Sequence, residues 1–254
     1  MRRVLYSFLA VFVFVFSSCD DFFSKSLWPS TQKYNLVNID LNGENIDQWL
    51  ESARGNPELT AALLKKIEQD LASGKFSGSE KAKLMEAGIR LAVQSSGLGT
   101  SIIANASSVL GNMDNVSENT LLDLLSGVRS DFNRNGGPAA AASLSAIANA
   151  GISGSPPQFD YSYRNTAQPG DVAEAVFVLA LGVLGPFANI NSWSDPSALG
   201  LDITENGYVT VIDPNPSPNQ KALAAYLNLI NTGGPEYSNN PLTAAIREAF
   251  NPIY

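Results

Sequence analysis

The chain has 254 residues, with 24 acidic and 16 basic side chains, a formal net charge of −8 and no histidine. That charge disfavours nucleic acid as a partner, because phosphate binding needs clustered Lys and Arg to displace counterions. The missing imidazole removes Ser-His-Asp and Cys-His nucleophilic machinery, and with Cys19 as the single cysteine it also removes zinc sites built on His and Cys. Any catalysis would rest on carboxylates, Lys, Tyr or Ser, and no cofactor is expected.

Arg2 and Arg3 lead an apolar run, Val4 to Phe16, broken only by Ser7, and Ser17, Ser18 and Cys19 close it. Charged, apolar and small-residue zones in that order read as a secretory signal peptide. The run is shorter than the ~20 residues that span a bilayer core. With cysteine directly after the small pair, the segment resembles the bacterial lipoprotein precursor class, although Phe16 stands where that class usually has Leu. The resemblance implies cleavage of residues 1–18, a diacylglycerol on the Cys19 sulfur and an acyl chain on its new amine. It further implies attachment to the inner or outer membrane of a bacterial envelope, with the body outside the cytoplasm. More than one acyl chain is needed for stable anchoring.

Loss of Arg2 and Arg3 leaves 14 basic against 24 acidic residues, a net −10. Such a body is repelled by anionic headgroups, so the lipid must hold it at the membrane. Residues 19–40 read as the lipidated tether. Phe22, Phe23, Leu27 and Trp28 in it suit either docking on the domain or the membrane interface, where aromatics are favoured. A single mainly helical domain is expected over 41–254.

Leu36 to Leu41 alternates weakly and suggests a short strand. Ile46, Trp49, Leu50 and Ala53 share one face of a short helix. Asn56-Pro57 is a helix start with a capping side chain and proline at the first position. Leu59, Leu63, Ile67 and Leu71 follow four apart as a buried stripe. Ser77 and Glu80 have the spacing of a capping box for the next helix. Further helices are expected over 100–111, 117–131 and 138–150, the last rich in Ala, whose small side chains let neighbouring backbones come close. Val172 to Leu184 is apolar all round, which places it at the centre of the fold.

The period then changes. Leu201 to Asp213 has two β-rich runs flanking Asn206-Gly207, a strong hairpin signal. Lys221–Ile230 and Leu242–Phe250 close the chain as helices. The fold class is therefore mainly α, an array of antiparallel helical hairpins with one small β-hairpin near 201–213. No fixed repeat pattern emerges.

Three groups of residues carry candidate chemistry. Asp131, Asn133 and Asn135 before Gly136 match the opening of a calcium loop. Position twelve, where such a loop places a bidentate Glu, is Ala142, and Arg134 adds positive charge. An Asn/Gly-rich turn between two helices is therefore the preferred reading, with no metal expected. Gly151 to Gly170 forms a long irregular stretch, and such loops are commonly functional. Its Phe159, Asp160, Tyr161, Tyr163 and Arg164, with Trp193 as a neighbour, combine flat faces and polar tips suited to a sugar, peptide or small polar ligand. The preferred reading is nevertheless a loop pinned to the helices by its aromatics; if a ligand binds, this loop lines its site. Asp160, Asp171, Glu174, Asp195 and Glu205 are the carboxylates available for glycoside chemistry. The expected role is a membrane-tethered, non-catalytic component that binds solute or an envelope protein. A carboxylate-dependent glycan hydrolase and a purely structural lipoprotein are the alternatives.

Overall fold

Among the described residues, six helices begin at or beside a proline: Pro57, Pro138, Pro169, Pro218, Pro235 and Pro241. Proline suits the first turn, where its missing N–H would have had no partner anyway. The computed structural model describes residues 39–98, 118–185 and 195–250. Cys19, the tether to residue 38, the helix expected over 100–111 and Trp193 lie outside the described residues.

The described elements are α1 Ile46–Ala53, α2 Pro57–Ala72, α3 Gly78–Ser95, α4 Glu118–Arg134 and α5 Gly137–Asn149. They continue with β1 Ile152–Ser153, β2 Gln158–Phe159, α6 Tyr161–Thr166 and α7 Pro169–Leu184. The last are β3 Leu201–Ile203, β4 Val209–Val211, α8 Pro218–Thr232, α9 Pro235–Asn239 and α10 Pro241–Phe250. The fold is mainly α, with two small antiparallel two-stranded sheets. Residues 39–41 are not a strand. Instead Ile39 and Leu41 are buried in the core ahead of α1.

The centre is α7, whose residues Val172, Ala173 and Ala175 to Ala180 are all buried. It packs against α3, α5, α8 and α10. No helix among the described residues is long and apolar enough to cross a membrane. The Ala-rich α5 lies close to two neighbours. A Cβ on Gly88 of α3 would stand 2.7 Å from Ile147 Cδ1, and one on Gly182 of α7 would stand 2.7 Å from Ala141 Cβ. Gly88 and Gly182 opposite Ile147 and Ala141 of α5 permit this approach, and close packing is what gives interior side chains their dispersion contacts.

Helix α2 is capped as its sequence foretells, with Asn56 Oδ1 accepting from the Leu59 N–H at 3.1 Å. The capping box expected at Ser77 and Glu80 does not form: Ser77 makes no side-chain cap bond. Glu80 turns instead to the other side and accepts from the Gly43 N–H at 3.2 Å. A complete capping box does occur at α8, where Ser217 and Gln220 bond reciprocally at 3.2 and 2.8 Å.

The hairpin near 201–213 is present, with Leu201, Asp202 and Ile203 opposite Val211, Thr210 and Val209. Its turn is one residue longer than the Asn-Gly signal suggests. Thr204 and Tyr208 still pair, leaving Glu205, Asn206 and Gly207 as the loop. Gly207 takes a φ of 76°. A type I turn followed by a left-handed residue is the usual three-residue solution.

The outer edge of β4 is held by Asn228, which is buried within α8. Its Oδ1 accepts from the Val209 N–H at 2.6 Å, and its Nδ2 donates to the carbonyls of Val209 and Pro157, each at 2.9 Å. The carboxamide thus does for β4 what a neighbouring strand would do, and it also reaches the β1–β2 connection. Asn231 on the next turn donates to the Gly207 carbonyl at 3.0 Å. Replacing Asn228 by alanine leaves buried backbone groups without partners, each costing about 1–3 kcal/mol. Asn228→Ala is expected to lose about 2–4 kcal/mol in urea unfolding. A loss below about 1 kcal/mol would show that water replaces the amide without penalty.

Candidate functional site

Residues 151–170 are not one irregular loop. Ile152 pairs with Phe159 and Ser153 with Gln158, closing a small hairpin. Asp160 then caps α6, its Oδ1 accepting from the Tyr163 N–H at 3.0 Å, while its Oδ2 lies 3.3 Å from Lys81 Nζ on α3. The short helix that follows is amphipathic.

Phe159 and Tyr163 face inward and are buried. Their ring centroids are 4.5 Å apart, and Phe159 lies 4.7 Å from the ring of Tyr226 on α8. Tyr163 and Tyr226 meet edge to face at 6.4 Å, with their hydroxyls 3.5 Å apart. Burial pushes both phenols well above their ordinary range, so both remain neutral donors. The sequence-derived ligand set is therefore divided. Phe159, Asp160 and Tyr163 serve packing and capping, while Tyr161 and Arg164 face outward.

Tyr161 is 78% exposed. Arg164, three residues on, is half-buried at the edge of a shallow depression that Gln158, Phe159, Asn228 and Thr232 also line. Its guanidinium has no ion-pair or hydrogen-bond partner among the described residues. Other arginines are engaged: Arg54, Arg90 and Arg134 pair with carboxylates, and Arg247 bonds Ser238 and the Ile230 carbonyl. Among the described residues Arg164 thus presents a planar set of donors that make no hydrogen bond or ion pair, although its charge acts on the nearby Tyr237 phenol.

Asp131 and Asn133, singled out as calcium candidates, lie on the last turn of α4, and Asn135 lies in the turn after it. Asp131 is 3.4 Å from Arg134, and Asn133 donates to the Arg129 carbonyl at 2.9 Å. These side chains are thus engaged with their own helix. Among the described residues no group of three or more Asp, Glu, Cys or His is placed to hold a metal.

Of the five carboxylates considered, the structure brings Asp171 and Glu174 together on the first turns of α7. Asp195 accepts from the Ser197 N–H at 3.0 Å and its hydroxyl at 2.7 Å, which holds its carboxyl below the usual range. Glu205 stands on the exposed hairpin turn. Asp171 accepts from Arg90 Nε at 2.7 Å, and Arg90 also reaches Glu86 at 2.7 Å. Burial raises Glu86 despite that contact, because a single guanidinium serves two acids and the charges of Asp171 and Asp47 add to the effect. Glu174 has burial and the Asp171 charge against it, and its carboxyl is pushed up to about 7. The Glu86–Arg90 spacing is legible in the sequence as an i,i+4 pair. Its link to Asp171, 81 positions away, is not.

No family model matches the chain, and no similar curated protein or solved structure was found.

Because Glu174 titrates higher folded than unfolded, ionising it favours the unfolded chain. Its stabilising contribution is complete below the ordinary value of 4.5 and is lost as pH rises toward about 7. Glu174→Gln is therefore expected to match the native chain below pH 4.5 and to exceed it in stability above pH 7, by on the order of 3 kcal/mol. Paired thermal melts across that range test this, and a difference that does not change with pH would contradict it.

Proposed function

We propose that the protein is a lipid-anchored component of a bacterial cell envelope, attached through an acylated Cys19, whose body works as a non-catalytic binding module. Its binding face is the outer side of α6, with Tyr161 and Arg164 as contact residues for an envelope protein or a small polar ligand. The observation that carries this reading is the half-buried Arg164, with no hydrogen-bond or ion-pair partner among the described residues, beside an exposed Tyr161. Tyr and Arg are the residue types that most often dominate binding energy, and a hydrogen bond to a charged group is worth about 1.5–3 kcal/mol. The ordered arrangement of Arg2-Arg3, the apolar run and Ser17-Ser18-Cys19 supports the anchor.

A second reading rests on a different observation. Asp171 is held by Arg90 while Glu174 retains its proton near neutrality, a division of roles used in general acid–base chemistry. It supports a carboxylate-dependent glycan hydrolase.

Detergent partitioning and intact-mass measurement of the envelope-expressed protein test the anchor. The native chain is expected in the detergent phase with acyl mass on Cys19, and Cys19→Ala in the aqueous phase. An unacylated mature chain would contradict the placement. For the binding face, a photo-crosslinker at Tyr161→Cys is expected to trap a discrete species in native membranes, and the added Arg164→Ala change is expected to abolish it. Trapping no greater than from Lys221→Cys would contradict the site. Glycan cleavage that Glu174→Gln removes would favour the second reading.

A further inference from the structure

Three Asn–Gly steps fall among the described residues: Asn42–Gly43, Asn135–Gly136 and Asn206–Gly207. The chemistry such a step allows is self-contained. The glycine amide nitrogen loses its proton and attacks the asparagine Cγ, and the bond from Cγ to the side-chain nitrogen breaks. That nitrogen leaves as ammonia, and a five-membered imide remains. Water then opens either imide carbonyl, giving aspartate or its backbone-extended isomer. Nothing is oxidised or reduced, and water is the only co-reactant. The step needs a glycine N–H that is free to leave its hydrogen bond and open to approach, which the missing Cβ assists.

The three steps differ in that respect. The Gly43 N–H donates to Glu80 Oε1 at 3.2 Å, and Asn42 Oδ1 is itself held by the Glu44 and Asn45 N–H groups, each at 2.9 Å. The Gly207 N–H donates to the Thr204 carbonyl at 2.8 Å. Gly136 sits between α4 and α5 at a φ of 90°, with nothing within 4 Å of where a Cβ would stand. Its N–H makes no hydrogen bond to a described residue, and the Asn135 side chain is exposed and likewise without a partner.

We propose that Asn135 is a self-modifying site, deamidating through the Gly136 amide ahead of Asn42 and Asn206. The consequence falls on the α4–α5 junction. Gly137 is packed so tightly on Phe132 that a Cβ there would lie 2.3 Å from the ring. The isomerised product adds a methylene to the backbone two residues from that contact, and either product adds a negative charge near Asp131.

Peptide mapping of the folded mature protein, aged in mildly alkaline buffer, tests the order. Conversion at Asn135 is expected to run about fivefold faster than at Asn42 or Asn206, the factor that breaking one hydrogen bond of about 1 kcal/mol imposes. The same chain in denaturant is expected to react at all three steps at similar rates. Asn135→Gln, whose imide ring would have six members, is expected to remove the fast component. Earlier conversion at Asn42 or Asn206, an unchanged order in denaturant, or a fast component that survives Asn135→Gln would each overturn the proposal.

Discussion

The rings of Phe159, Tyr163 and Tyr226 hold the β1–β2 hairpin and α6 to α8 in the C-terminal part of the chain. Burying a large apolar side chain contributes about 1.5–3 kcal/mol, and aromatic pairs add about 0.5–1.5 kcal/mol more. Phe159 is the last residue of β2 and Tyr163 lies in α6. Fixing both on α8 therefore sets the orientation of the short helix between them. Tyr161 and Arg164 point outward because Phe159 and Tyr163 point inward. The exposed Tyr161 and the buried Tyr163 are on two sides of one six-residue helix.

Helix α8 is the common support. Tyr226 receives the aromatic pair, while Asn228, two positions later, bonds the Pro157 carbonyl and both backbone groups of Val209. Gln220 reaches the Leu199 carbonyl at 3.1 Å. Both small hairpins are thereby fastened to the same helix, one through rings and an amide, the other through amides beside the buried Leu201 and Val209. Short two-stranded sheets are marginal by themselves, and this support is what lets them persist.

The helices were the most legible part of the sequence. Apolar residues four apart, an Asn-Pro start and an Ala-rich run each depend on neighbours within one or two turns. The stretch over 151–170 was harder, because Gly, Ser and Pro in it obscure two-residue strands that exist only through pairing with each other. The Ser77–Glu80 box matched in spacing yet failed because Gly43, distant in sequence, competes for the glutamate. At the candidate site, the residue types were visible but their directions were not. Tertiary contact with Tyr226 separates Tyr163 from Tyr161, while burial of Glu174 and the Arg90 contact to Asp171 separate those two carboxylates. That Arg164 pairs with no acid among the described residues has no sequence signature, since it depends on where tertiary packing places those acids.

The division of α6 into a packed side and an outward side is tested most directly by comparing two tyrosines on one helix. Tyr163→Ala is expected to lower the unfolding free energy by about 3–5 kcal/mol, whereas Tyr161→Ala is expected to stay within about 0.5 kcal/mol of the native chain. Similar small losses from both substitutions would contradict it, because the segment would then not be held by its buried ring.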